Sequence, residues 1–156
     1  MSEPRAPERE ASNGAVTVVV VDDEPDVRFL VRRLLDRRDG WELVGEAADG
    51  AEAADVVEEL QPDVVLLDLM MHTPGEEALP HILKVAPKTM VVVFSAAPST
   101  DADRRRLLDL GAFAYHQKSE ASDLLKLLAA DLALFRRVLA GEDVVPTWMN
   151  NGHLAS

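Results

Sequence analysis

The chain has 156 residues, 47% of them apolar, enough for one domain with a real core and against disorder as the default. Acidic residues outnumber basic ones 28 to 16, and the formal charge of −12 repels nucleic acid and anionic membrane surfaces. With no cysteine there is no disulfide framework and no thiolate metal site, which fits a reducing, cytoplasmic setting.

Residues 1–15 mix Pro, Glu, Arg, Ser and Gly without the apolar stretch of a signal peptide, and predict a flexible N-terminal tail. The Val-rich run Val16–Val21 follows as a first strand and ends on Asp22-Asp23. Val27, Leu30, Val31, Leu34 and Leu35 then recur at helical spacing, with Pro25 where a first helical turn tolerates it and Gly40 as a stop signal. A second strand, Trp41–Ala47, leads through the Asp49-Gly50 loop into a second helix marked by Ala53, Ala54, Val56, Val57 and Leu60.

Pro62 separates that helix from a third strand, Val64–Leu67, which ends on Asp68. A third helix carries Ala78, Leu79, Ile82, Leu83 and Val85, and a fourth strand spans 90–94 with Ser95 at its end. Leu107, Leu108 and Leu110 mark a fourth helix closed by Gly111, and a fifth strand is predicted over 112–115, shortly before Lys118. The last helix, 123–139, has an apolar stripe wider than one core-facing side needs. It predicts either a long helix packed on the sheet or a partner or homodimer surface. A single folded unit is expected over 16–140. Residues 141–156 form a short C-terminal tail, too short for a helix-turn-helix output domain. No run of 18 apolar residues is present to insert in a membrane.

Short apolar strands alternating with amphipathic helices predict a doubly wound α/β fold, a (βα)5 unit on a five-stranded parallel sheet with right-handed crossovers. The C-terminal strand ends of such a sheet meet at one crevice. Asp22, Asp23, Asp68 and Lys118 therefore face one another, with Ser95 close by. An Asp carboxylate can attack phosphorus to form an acyl phosphate, and a divalent cation must shield the anionic approach. Asp23 and Asp68 suit direct Mg²⁺ ligation, Asp22 ligation through water, and the backbone carbonyl of Met70 completes the protein side. Without a cation, two carboxylates about 4 Å apart repel by about 4 kcal/mol at an effective dielectric near 20.

These motifs resemble the receiver domain of two-component response regulators, a flavodoxin-like fold. The matching segments are Val20-Val-Asp-Asp-Glu-Pro25, Pro62-Asp-Val-Val-Leu-Leu-Asp-Leu69, Phe94-Ser-Ala96 and Gly111-Ala-Phe-Ala-Tyr-His-Gln-Lys118. The resemblance implies that Asp68 takes a phosphoryl group from a sensor histidine kinase or phosphotransfer protein. It implies Mg²⁺ on Asp22 and Asp23, phosphoryl contacts from Lys118 and Ser95, and Tyr115 as an aromatic switch. The output is then a changed surface on the fourth helix, fifth strand and fifth helix, read by a downstream protein effector.

The segment after Asp68, Met70-Met-His-Thr-Pro-Gly-Glu76, departs from the family, with His72 at the usual proline and one residue fewer in the loop. Met70 and Ala97 occupy the two positions that tune phosphoryl lifetime, and neither side chain can orient water, so slow self-dephosphorylation is expected. His81, His116 and His153 show no metal-ligand spacing and are assigned no chemistry. The principal expectation is a phosphorylation-dependent switch rather than an enzyme. A receiver-like module that binds partners constitutively is the alternative. An aspartyl-nucleophile phosphatase is weaker, because Val21-Asp-Asp-Glu24 lacks an Asp-x-Asp.

Overall fold

The computed structural model describes residues 14–96 and 100–143. Most of the two expected tails, with Trp148 and His153, lies outside these residues, and so does Ala97. Within them the elements run β1 (Val16–Val21), α1 (Pro25–Asp36), β2 (Trp41–Ala47), α2 (Gly50–Leu60), β3 (Val64–Leu67) and α3 (Gly75–Val85). They continue with β4 (Met90–Ser95), α4 (Asp101–Asp109), β5 (Ala114–Gln117), a short 3₁₀ segment (Lys118–Asp123) and α5 (Leu124–Leu139).

The five strands form one sheet in the order β2-β1-β3-β4-β5, every pairing parallel. The expected doubly wound architecture is present. β3 and β4 are buried along their whole length, which is why they read as unbroken apolar runs rather than alternating ones. Successive strand residues point to opposite faces. Val19, Val21, Val65, Leu67, Val91 and Val93 join the core built with α2, α3 and α4. Val18, Val20, Val64, Leu66, Met90, Val92 and Phe94 join the other, built with α1 and α5.

Two boundaries differ from expectation. β4 extends one residue further and takes in Ser95. β5 covers Ala114–Gln117 rather than 112–115. The Ala112 N–H still donates to the Leu107 carbonyl at the end of α4 (3.0 Å), and the continuous pairing with β4 begins at Val92↔Ala114. Ala112 thus serves the helix exit, Phe113 makes the first bond to β4 through its N–H to the Val91 carbonyl (2.8 Å), and the polar pair His116-Gln117 is strand. Lys118 consequently leaves β5 directly.

The wide stripe of the last helix is consumed largely by its own sheet. Leu124, Leu125, Leu128 and Leu132 are buried, and Phe135 packs edge-on against Phe113 at 5.2 Å between ring centroids. Val138 and Leu139 at its C-terminal end are exposed. This division sets an expectation for urea unfolding followed by circular dichroism. Leu128→Ala should cost about 2–5 kcal/mol, the range for a buried leucine, whereas Leu139→Ala should stay within about 0.5 kcal/mol. Equal costs would mean that the stripe is not divided this way.

Candidate functional site

β1 and β3 are neighbours in register, Val21 opposite Leu67, so the residues that follow each strand emerge side by side. The ladder continues one step beyond the strands: the Asp68 N–H donates to the Val21 carbonyl (2.9 Å) and the Asp22 N–H to the Ala47 carbonyl (3.0 Å). Asp22 and Asp68 are thereby held by backbone and buried, while Asp23 is exposed at the rim. One carboxylate oxygen from each of Asp22, Asp23 and Asp68 lies within 4.8 Å of the others. Three clustered hard oxygen donors, two of them on backbone fixed by the sheet, fit a small divalent cation such as Mg²⁺.

Lys118 reaches this cluster from β5, across the intervening β4. Its Nζ lies 2.8 Å from Asp22 Oδ2, 3.0 Å from Glu24 Oε1 and 3.7 Å from Asp68 Oδ2. Burial acts to depress the pKa of the ammonium, but hydrogen bonds to Asp22 and Glu24 and the nearby carboxylate charges outweigh it, so the group stays above its ordinary value. Asp68 is raised above its ordinary 3.8, first by burial and next by the charge of Asp22; Lys118 and the Met70 N–H pull the other way, and Asp23 adds to the rise.

Ser95 is fully buried at the end of β4, on the strand between those that deliver Asp68 and Lys118. Tyr115 stands opposite Val93, packs partly on the α2–α3–α4 core, and is covered by the Arg104 guanidinium 5.1 Å from its ring centroid. The Met70 N–H donates to Asp68 Oδ1 (3.3 Å), and its side chain is 65% exposed. His72 is exposed. The three aspartates and Lys118 are therefore brought together, Ser95 and Tyr115 lie on the adjoining strands, and His72 stays a surface loop residue.

Several positioning residues escaped the sequence reading. Gly75, the first residue of α3, packs so closely under the site that a Cβ there would lie 2.0 Å from the Asp68 carbonyl oxygen. Its N–H donates to the Leu69 carbonyl (3.2 Å), and the Thr73 N–H donates to Asp49 Oδ1 (2.6 Å), so the short loop closes tightly onto the end of β3. Arg28 donates through Nη1 to the Asp22 carbonyl (2.6 Å) and through Nε to Glu46 (3.0 Å), tying the acidic turn to β2. The Pro74-Gly75 pair was a visible signal; no local spacing marks Arg28 or Glu24.

Comparison with known proteins bears on the family and the fold. Residues 18–129 match the family model of the response regulator receiver domain. The chain is 35% identical over 128 residues to a protein-glutamate methylesterase/protein-glutamine glutaminase of Koribacter versatilis, covering 81% of this chain and 35% of that protein. It is 34% identical over 133 residues to the transcriptional regulatory protein PdtaR of Mycobacterium tuberculosis, covering 83% of this chain and 63% of that one. A crystal structure of a two-component response regulator of the LuxR family from Aurantimonas superposes with a TM-score of 0.72 at 30% identity, covering 88% of this chain and 94% of that one. The chain thus spans between about a third and two thirds of the length of these two curated relatives.

The electrostatics of Asp68 set the sign of a stability test. A carboxyl whose folded pKa is raised binds its proton more readily when folded, so ionising it destabilises the fold. That penalty is absent below the unfolded pKa and complete above the folded one. In chelator, Asp68→Asn should raise the thermal midpoint at neutral pH, with the gain shrinking as pH falls toward 3.8. Added Mg²⁺ should stabilise the parent chain more than the variant and narrow the gap. A variant less stable at neutral pH without metal would show that the charge on Asp68 is not a net burden.

Proposed function

The chain belongs to the response regulator receiver family, and on that footing we propose that Asp68 accepts a phosphoryl group from the phosphohistidine of a sensor kinase or phosphotransfer protein. The observation that carries this reading is the convergence of Asp22, Asp23, Asp68 and Lys118 at one end of the sheet. An oxygen of the Asp68 carboxylate attacks phosphorus, the P–N bond to the donor imidazole breaks, and its electron pair stays on the imidazole nitrogen. The product is an acyl phosphate on Asp68. Asp22, Asp23 and Asp68 would hold Mg²⁺, with the Met70 carbonyl as a further ligand, and the cation would supply charge shielding to the phosphoryl oxygens.

Lys118 then moves onto a phosphoryl oxygen, and Ser95 donates its hydroxyl to another. Those contacts exist in one conformer and not in the other, so they bias a two-state equilibrium. Tyr115, adjoining on β5, reports that shift on the surface made by α4, β5 and α5, where a protein effector reads it. His72, whose place in the loop raised the constitutive-module alternative, is exposed, and the loop closes through backbone bonds around Gly75 instead.

Incubation with Mg²⁺ and a small acyl-phosphate donor, followed by intact-mass measurement, should add one phosphoryl group. The adduct should be absent in Asp68→Asn and in chelator. Its absence in the parent chain, both with this donor and with a phosphorylated histidine donor, would remove the reading. Once formed, the adduct should decay slowly, because the Met70 side chain offers no group to orient an attacking water; a lifetime of only seconds would contradict that.

A further inference from the structure

Glu24 is not part of the acid cluster, yet it holds the cation that the cluster needs. The Lys118 ammonium lies 3.0 Å from Glu24 Oε1 and 3.7 Å from Asp68 Oδ2. Its nearest partners are therefore Asp22 and Glu24, and the phosphoacceptor comes third. The Glu24 side chain is 62% exposed, while that of Lys118 is 14% exposed. One end of this pair is open to solvent and the other is shielded.

The local backbone leaves the carboxylate no other visible duty. Glu24 is the N-cap residue of α1 but makes no side-chain capping bond. Its N–H donates to Asp22 Oδ1 (2.9 Å), and its carbonyl accepts from Val27 and Arg28. These main-chain contacts survive any change of side chain. The side chain is thus placed beside Lys118 by a backbone that is already fixed.

We propose that Glu24 is a competing counter-ion for Lys118, one that holds the ammonium away from Asp68 and so weakens the pocket's grip on a phosphoryl group. The inference rests on the phosphoacceptor reading and deepens it. A phosphoryl group on Asp68 draws the ammonium toward itself. Glu24 must then lose its partner, or follow it and approach the anionic phosphoryl oxygens. Either course opposes the phosphorylated conformer. Glu24 acts through Lys118 and is a positioning residue that sets the strength of the switch. Because one partner is exposed, the effect is modest, about two- to fivefold in affinity.

Beryllofluoride at saturating Mg²⁺, titrated into the full chain and followed by fluorine NMR, reads this grip without phosphoryl chemistry. Glu24→Gln should bind it about two- to fivefold more tightly than the parent. Glu24→Asp keeps the charge but shortens the arm beyond the 3.0 Å contact, and should shift in the same direction. Asp26→Asn removes one acidic charge from the same helical turn and should leave the affinity unchanged. Equal affinities for the parent and Glu24→Gln would overturn the proposal, and so would weaker binding by the variant. Tightening in Glu24→Gln and Asp26→Asn but not in Glu24→Asp would assign the effect to general field, overturning the contact mechanism. A parent chain that binds no probe would sink the phosphoacceptor reading and this proposal together, a result distinct from equal binding by all.

Discussion

One ammonium shared among several carboxylates governs the crevice. Asp22, Asp23 and Asp68 are brought within 4.8 Å by strands whose register leaves them no alternative. Two of them are buried, so solvent does little to relieve their repulsion. Lys118 offsets part of it, standing 2.8 Å from Asp22 and 3.7 Å from Asp68. The raised pKa of Asp68 follows from its burial and then from the charge of Asp22, which the ion pair to Lys118 at 3.7 Å offsets only in part. A carboxylate in that condition gains from any cation that arrives.

The sheet makes that arrangement stiff. β3 and β4 contribute fully buried side chains to cores on both faces, so the strand ends cannot shift without disturbing two packed layers. The loop after Asp68 is short, and its first helical residue is a glycine because the Asp68 carbonyl occupies the place of a side chain. Arg28 secures the acidic turn from the opposite side through the Asp22 carbonyl and Glu46. The acceptor carboxylate is therefore supported by backbone bonds and close packing, while the long arms, Lys118 and Glu24, come in from the edge.

The five-stranded parallel sheet and the acidic strand ends were legible because buried parallel strands leave unbroken Val-rich runs and because a residue that ends such a run is placed by topology alone. β5 was read two residues early. Ala112 belongs to the exit from α4 and Phe113 bonds to β4 just ahead of the strand, and β5 itself includes a histidine, which hydrophobic pattern cannot report. Glu24 and Arg28 were invisible for a related reason. Their roles depend on reaching Lys118, 94 residues away, and Glu46, 18 residues away, and no local spacing encodes such a partner. Gly75 is intermediate: the Pro-Gly pair signalled a turn, but the approach to Asp68 is a three-dimensional fact.

His116 was assigned no chemistry, and it carries none at the crevice. Its buried Nε2 lies 2.7 Å from Asp131 Oδ2 on α5, inside an otherwise apolar layer. The contact satisfies two polar groups that would otherwise be buried without a partner, and it ties β5 to α5. Tyr115 and His116 are adjacent on β5 and face opposite sides of the sheet. One packs toward α4 under Arg104, and the other is tied to α5. Lys118 follows two residues later. A pull on Lys118 therefore acts on a strand end already attached to both helices of the surface it is proposed to control, and no long chain of intermediates is needed between the acid cluster and that surface.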